Sequence, residues 1–302
     1  MQPRGLITSR DNPLVQRLRR LLGEPAAYRR EGLICNEGEH LCSAYAHRRG
    51  RPRMVVMAES AWQRPELRGL VTPADEVQLL SDRLFEQVSA LPSPAGMAFL
   101  ADLPSGETPR AAESAVLLDR LQDPGNVGSI LRSASALGVR QVWATPGTAA
   151  LWSPKVLRAG MGAHFGLTLC ESVDVAGLIA LPRAAAEAPA RQGGGAPGTE
   201  RAPWVATSSH ADAVLGEVKL PEPCVWVMGH EGQGVSEEIL RHCALSVRIP
   251  QPGGEESLNV AAAAAICLYE SARWRPQCDT RQAAGQAQTP SGATRRPPSL
   301  SK

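Results

Sequence analysis

Short apolar runs alternate regularly with helix-forming stretches along this chain, and few folds accommodate that pattern. Val116–Leu118, Val142–Ala144, Gly166–Leu169, Val205–Thr207, Val225–Met228 and Val247–Ile249 are each three or four residues long. That length suits buried strands rather than buried helices. Between the first two runs, apolar residues recur at helical spacing from Asn126 to Leu137. Such alternation predicts a parallel sheet covered by helices. The expected fold class for residues 114–275 is therefore α/β.

Residues 1–103 read as a second, smaller α/β unit. Asn12-Pro13 has the form of a helix start, and Leu14, Leu18 and Leu21 follow at helical spacing. Apolar runs at Leu33–Cys35, Met54–Met57 and Val77–Leu80 predict strands, and Leu84, Val88 and Leu91 predict a helix. Residues 104–113, PSGETPRAAE, form the expected linker. Residues 182–203 are rich in Ala, Gly and Pro and are expected to be a mobile surface insertion; residues 276–302 have the same character and are expected to be a disordered tail.

The chain has 302 residues, 43% hydrophobic and 21% charged, which excludes disorder throughout and suggests two domains. No apolar run approaches the roughly 20 residues of a membrane span. The first residues lack an apolar signal-peptide core. Seven cysteines at irregular spacing then read as reduced thiols of a cytoplasmic protein.

Net charge is only +2, but residues 1–53 hold eleven arginines against five acids, a local charge of +6. Arg17, Arg20, Arg29 and Arg30 lie within that stretch. A basic end on a near-neutral chain suggests a polyanion partner, and a solvated arginine-rich surface accounts for the same composition.

Three segments carry possible chemistry. In the first, Asp119–Gly138, Asp123-Pro124-Gly125 reads as a turn, Asn126 as the helix cap and Gly138 as the stop. Val127, Ile130, Leu131 and Ala134 form an apolar stripe. Arg132 lies on another face, among Gly128, Ser129 and Ser135, which are small enough to admit a second backbone. In the second segment, the strand Val225–Met228 runs into Gly229, Gly232 and Gly234. Ligands of parallel sheets bind beyond the carboxyl ends of strands, and glycine there permits close approach. The spacing matches neither the dinucleotide nor the P-loop pattern. In the third, a Pro- and Gly-rich loop after Ile249 leads to a helix, Leu258–Tyr269, expected to be buried. Asn259 is the polar exception in its first turn. Cys224, His230, His242 and Cys243 lack zinc-site spacing, so no metal is expected.

Together and in this order, the three segments resemble the motifs of the SpoU (TrmH) family of RNA 2′-O-ribose methyltransferases, within the SPOUT superfamily. The motifs stand here as Asn126-Val127-Gly128 with Arg132, as Gly229-His230-Glu231-Gly232-Gln233-Gly234, and as Ile249-Pro250 with Ser257-Leu258-Asn259-Val260. The resemblance covers about residues 112–274. Residues 7–100, through ITSRDNPLVQRLRRLL and GLICNEGEHL, also resemble the RNA substrate-binding domain often fused in front. His230 and Gln251 depart from the residues common at their positions.

The resemblance implies S-adenosylmethionine as methyl donor, a ribose 2′-hydroxyl of RNA as acceptor, and no metal. The leading domain favours ribosomal over transfer RNA. The resemblance also implies a deep trefoil knot and a homodimer with its active sites at the subunit interface. Arg132 would carry catalysis, with Asn126 and Glu231 orienting it and Asn259 supporting the site. Backbone near Gly229, Gly234, Ile249 and Leu258 would hold the cofactor. Arg17, Arg20, Arg29 and Arg30 would contact RNA. A non-catalytic RNA-binding protein of the same fold, a tRNA-directed enzyme and a nucleotide-binding metabolic enzyme are the alternatives.

Overall fold

A computed structural model describes residues 2–181, 200–253 and 257–274. The chain runs β1 Arg4–Ile7, α1 Pro13–Gly23, α2 Ala27–Glu31, β2 Leu33–Glu37, α3 Glu39–Arg49, β3 Met54–Ala58, α4 Glu59–Trp62, α5 Pro65–Arg68, β4 Val77–Leu80, α6 Asp82–Val88 and β5 Met97–Asp102. Its second half runs β6 Ala115–Leu118, α7 Pro124–Ala136, β7 Gln141–Ala144, α8 Pro154–Gly160, β8 Thr168–Glu171, α9 Val175–Ala180, β9 Trp204–Thr207, β10 Ala213–Val214, β11 Val225–Met228, α10 Glu237–Leu240, β12 Leu245–Arg248 and α11 Val260–Trp274.

The elements build two sheets. The first has order β1-β4-β3-β5-β2, with β5 antiparallel to its neighbours β2 and β3. The second is wholly parallel, with order β10-β12-β9-β11-β6-β7-β8. Its central strands are apolar at nearly every position because both faces are covered. Val116, Leu118, Val142, Ala144, Trp226 and Met228 enter one core, while Leu117, Trp143, Val225 and Val227 enter another. The first core continues into the N-terminal sheet, so the two halves share one hydrophobic interior.

Polar contacts tie the halves together as well. The Tyr28 hydroxyl donates to both oxygens of Glu171, at 2.6 and 2.8 Å. Glu171 also accepts from the Leu151 amide at 2.8 Å and pairs with Arg29 at 3.0 Å. Burial, then the charge of Glu171, pushes the Tyr28 phenol well above its ordinary value. Arg158 donates to the Ala90 carbonyl at 3.1 Å.

Several expectations need correction. The first motif helix starts two residues early, at Pro124. Its cap is Asp123, whose Oδ1 accepts from the Asn126 amide at 2.7 Å. Strands β1 and β5 have no counterpart in the sequence reading. Helix α11 is only half buried: Ala264, Cys267 and Leu268 face the core, while Ile266 and Tyr269 are 40% and 58% exposed. The expected insertion 182–203 ends sooner than its composition suggested, since Arg201 and Ala202 are buried and the Ala202 amide donates to Ala111 at 2.8 Å. Residues 182–199 and 275–302 lie outside the described residues. Among the described residues, no helix is long and apolar enough to cross a membrane.

Candidate functional site

The parallel sheet sends the chain segments after β6, β11 and β12 to the same edge, and the three motifs follow those strands. Helix α7 begins there. Because Asp123 caps it, the Asn126 side chain is free to bond outward. Its Nδ2 donates to Glu231 Oε1 at 3.2 Å, and its Oδ1 accepts from Asn259 Nδ2 at 3.0 Å. Asn259 Oδ1 in turn accepts from the amides of Ala261 and Ala262, at 2.9 and 3.3 Å, capping α11. One polar network thus joins all three motifs. Partial burial opposes the charge of Glu231. Backbone N–H groups of Glu231, Asp123 and Gln122, with the Asn126 amide, outweigh it and hold the carboxyl below its ordinary range.

The glycine loop after β11 folds back on itself. The His230 and Gly234 backbones bond to each other in both directions, at 3.0 and 2.8 Å. A Cβ on Gly229 would collide with the backbone of Gly234 and Val235. Gly229 is therefore required by the loop's own return, a reason the sequence reading did not supply. Gly234 has room for a Cβ but sits at φ +69°, where side chains are strained. His230 Nδ1 accepts from the amides of Gly232 and Gln233 at 3.0 and 3.3 Å, so this departure from the motif pins the loop tip.

Two residues missed in the sequence brace the loop from below. The buried Asp119 accepts from the Ser236 amide at 2.6 Å and pairs with Arg120 at 3.2 Å. Arg120, at φ 56°, donates to Gln233 Oε1 at 3.1 Å. The signal was present: an acid and a base directly follow a fully apolar strand. Ile249 is half buried against the first core, and Leu258 is 39% exposed. Beside Ile249, Gln251 Oε1 is buried with no hydrogen-bond partner among the described residues, an acceptor that a donor-bearing ligand would satisfy.

The structure does not bring Arg132 to this network. Its side chain is exposed nearly two turns further along α7 and forms no ion pair among the described residues. The small neighbours act as expected: a Cβ on Gly128 would strike Ala159 and lie 2.8 Å from the Gly160 nitrogen, so α8 crosses α7 closely. Arg132 projects into a cleft of about 490 Å³ between α7 and α3, lined also by His40, His47, Arg48 and Met161. Of those α3 residues, Arg48 belongs to the arginine excess of residues 1–53, whereas His40 and His47 were not singled out from the sequence, although their spacing puts all three toward one helix face.

Of the four arginines expected to bind RNA, Arg17, Arg29 and Arg30 are exposed and Arg20 is half-buried, and all four are paired. Arg17 and Arg20 share Glu31 at 3.0 and 2.8 Å, Arg29 holds Glu171 at 3.0 Å and Arg30 holds Glu24 at 2.6 Å. Among the described residues, no group of three or more His, Cys, Asp or Glu is placed to hold a metal ion.

Comparison with known proteins agrees with this geometry. A family model described as the SpoU rRNA Methylase family matches residues 113–269. The chain is 32% identical to an uncharacterized tRNA/rRNA methyltransferase of Synechocystis sp., over 88% of this chain and 93% of that one. It is 29% identical to the 23S rRNA (guanosine(2553)-2′-O)-methyltransferase RlmP of Bacillus subtilis, over 77% and 86%. Its fold matches, with a TM-score of 0.73, the SpoU methyltransferase AviRb of Streptomyces viridochromogenes, whose crystal structure contains AdoMet. That likeness covers 87% of this chain and 97% of that one and, at 24% identity, concerns the fold.

Proposed function

Because the chain belongs to the SpoU rRNA methylase family, we propose that it transfers the methyl group of S-adenosylmethionine to a ribose 2′-hydroxyl of ribosomal RNA. The observation that carries this reading is the Asn126–Glu231–Asn259 network, which joins the three family motifs at one edge of the sheet.

The residues present fit that cofactor. A folded-back glycine loop and an unpaired Gln251 acceptor suit a ligand recognised by shape and hydrogen bonds rather than by charge. Backbone groups near Gly229, Gly234, Ile249 and Leu258 would hold it. Bound there, it supplies an electrophilic methyl group on a sulfonium and needs no metal.

The chain's own part is positioning. Arg132 binds the RNA backbone and aligns the acceptor hydroxyl. It is not the base, since a guanidinium carries five N–H donors and no acceptor to take the proton. Asn126, Glu231 and Asn259 keep the cofactor loops in register with α7. We infer that Arg132 serves the cofactor of a partner subunit; its separation from these three residues within one chain fits that reading. The exposed stripe Ala262, Ile266 and Tyr269 on α11, with Leu258, supports a homodimer, because an open apolar face of this kind is commonly covered by a second copy. The strand order suits the family's deep trefoil knot: β12 lies on the far side of β9 from β11, and α11 then returns to pack on β11 and α7. A ribosomal substrate is compatible with a cytoplasmic site of action.

Calorimetry and labelled-methyl transfer test the reading. Wild-type protein should bind S-adenosylmethionine without added metal and label ribosomal RNA. Mixing Arg132→Ala with Gly229→Val subunits should restore activity that neither has alone. Absence of cofactor binding by the wild type would overturn the enzyme reading, and no recovery in confirmed heterodimers would overturn the shared site.

A further inference from the structure

We propose that the cleft between α3 and α7 is the seat of the RNA strand flanking the target ribose, with His40, His47 and Arg48 of the N-terminal unit supplying phosphate contacts beside Arg132. This rests on the methyltransferase reading and names where its substrate lies.

The placement follows from four observations. First, α3 presents His40, Ser43, His47 and Arg48 at intervals of three, four and one, which puts all four toward one side of the helix. Second, that face is held against the methyltransferase half by close contacts. A Cβ on Gly162 would meet Ala44, and one on Gly166 would meet the Arg48 guanidinium. His40 Nε2 lies 3.3 Å from the Met161 carbonyl oxygen. The cleft is therefore built across both halves, and Arg48 and Arg132 reach into the same space.

Third, the cleft is cationic without compensation. None of its lining residues is acidic. Of the eleven arginines in residues 1–53, Arg4, Arg17, Arg20, Arg29, Arg30, Arg51 and Arg53 form ion pairs, which leaves Arg10, Arg19, Arg48 and Arg49 without one among the described residues. Only Arg48 of those four lines the cleft. A concave, acid-free surface with two guanidinium groups suits phosphate oxygens better than a protein surface of mixed charge.

Fourth, the cleft floor holds a strained residue. Met161 stands at φ 48°, a region that L side chains rarely adopt, and its side chain is 43% exposed. Strain of that kind persists where the surroundings over-determine it, and it gathers at binding sites. Here it is the left-handed cap that ends α8. An open thioether beside two guanidinium groups gives an unstacked base an apolar surface.

The test measures binding of the full chain to an unmodified 23S rRNA transcript across a range of salt, without cofactor. It thereby judges the cleft independently of methyl transfer. His47→Ala/Arg48→Ala should weaken binding about tenfold and lower the salt slope by about 0.7 for each single-strand phosphate that is no longer neutralised. Ser43→Glu should weaken binding, whereas Ser43→Lys should retain or tighten it; both keep a solvent-facing position and should fold. S-adenosylmethionine affinity serves as the folding control. Wild-type RNA affinity and slope in the double variant, with that control intact, would overturn the proposal. So would equal effects of Ser43→Glu and Ser43→Lys, or a change in oligomeric state with RNA affinity unaltered.

Discussion

Two arginine-rich regions of this molecule differ in what their charges face. On α1 and α2, Arg17 and Arg20 converge on Glu31, and Arg30 meets Glu24. The hydrogen bond from Arg20 holds the Glu31 carboxyl below its ordinary range, against the effect of burial and with help from Arg17. Arg29 joins the buried end of Tyr28 at Glu171. These arginines are engaged in holding the fold. In the α3–α7 cleft, Arg48 and Arg132 share a space with no acid in its lining. A charge count places both regions in one class. Pairing separates them: on α1 and α2 only Arg19 lacks an ion pair among the described residues, whereas neither cleft arginine has one.

The largest effect that would break this contrast lies at Arg132. Arg132→Ala should keep cofactor affinity and lose on the order of a hundredfold or more in methyl transfer, read from initial rates at saturating cofactor. Arg132→Lys should rescue poorly, because it lacks the planar fork. Near-normal rates in Arg132→Ala would return Arg132 to the class of ordinary surface arginines.

Beneath the cleft, Gly160 packs on His164, whose imidazole is fully buried and donates from Nε2 to the Leu151 carbonyl at 2.9 Å. Burial lowers its pKa from 6.5 to about 4, although the Leu151 bond works in the opposite direction. The unfolded chain therefore takes up a proton between about pH 6.5 and 4 that the folded chain refuses. Stability should be full above pH 6.5 and fall as pH drops through that window, by up to roughly 3 kcal/mol. Thermal melts of His164→Gln should show a shallower decline than the wild type over the same window, and equal declines would contradict the assignment.

Smaller changes should follow on the paired side. Tyr28→Phe removes the hydroxyl that joins the halves at Glu171 and should cost about 1.5–3 kcal/mol in denaturant unfolding, as expected for a bond to a charged acceptor. Ser271→Ala should cost about 1–3 kcal/mol by leaving the buried Trp226 indole, 2.8 Å away, without its acceptor. Smallest of all, Arg17→Ala/Arg30→Ala should shift stability by at most about 1 kcal/mol, because both pairs are exposed. Its RNA affinity should change less than that of His47→Ala/Arg48→Ala. The reverse order would erase the contrast between the two regions.

Much of the fold was legible because short apolar runs between helices admit few arrangements. The runs at Val116, Val142, Val205 and Val225 all became strands of the parallel sheet. β5 was missed although Met97–Ala101 is an apolar run, because the Pro- and Gly-rich stretch before it reads as loop. The extent of α11's burial was misjudged because small and apolar residues do not by themselves show which side of a helix the core covers. The motif residues Asn126, Glu231 and Asn259 were visible one by one, but their bonding was not, since it joins positions more than a hundred residues apart. The cleft was hidden for the same reason. His40, Ser43, His47 and Arg48 form an unremarked face of α3 until the fold sets them opposite Arg132.

Alkali distinguishes a methyl group on a ribose 2′-oxygen of RNA from one on a base. Alkaline cleavage of RNA requires a free 2′-hydroxyl, so a 2′-O-methylated nucleotide leaves one uncut linkage. Ribosomal RNA labelled by the wild-type protein from methyl-labelled S-adenosylmethionine should release its label in alkali-resistant dinucleotides, and RNA treated with Arg132→Ala should hold little label. Label recovered in alkali-sensitive mononucleotides would place the methyl group on a base and contradict the account.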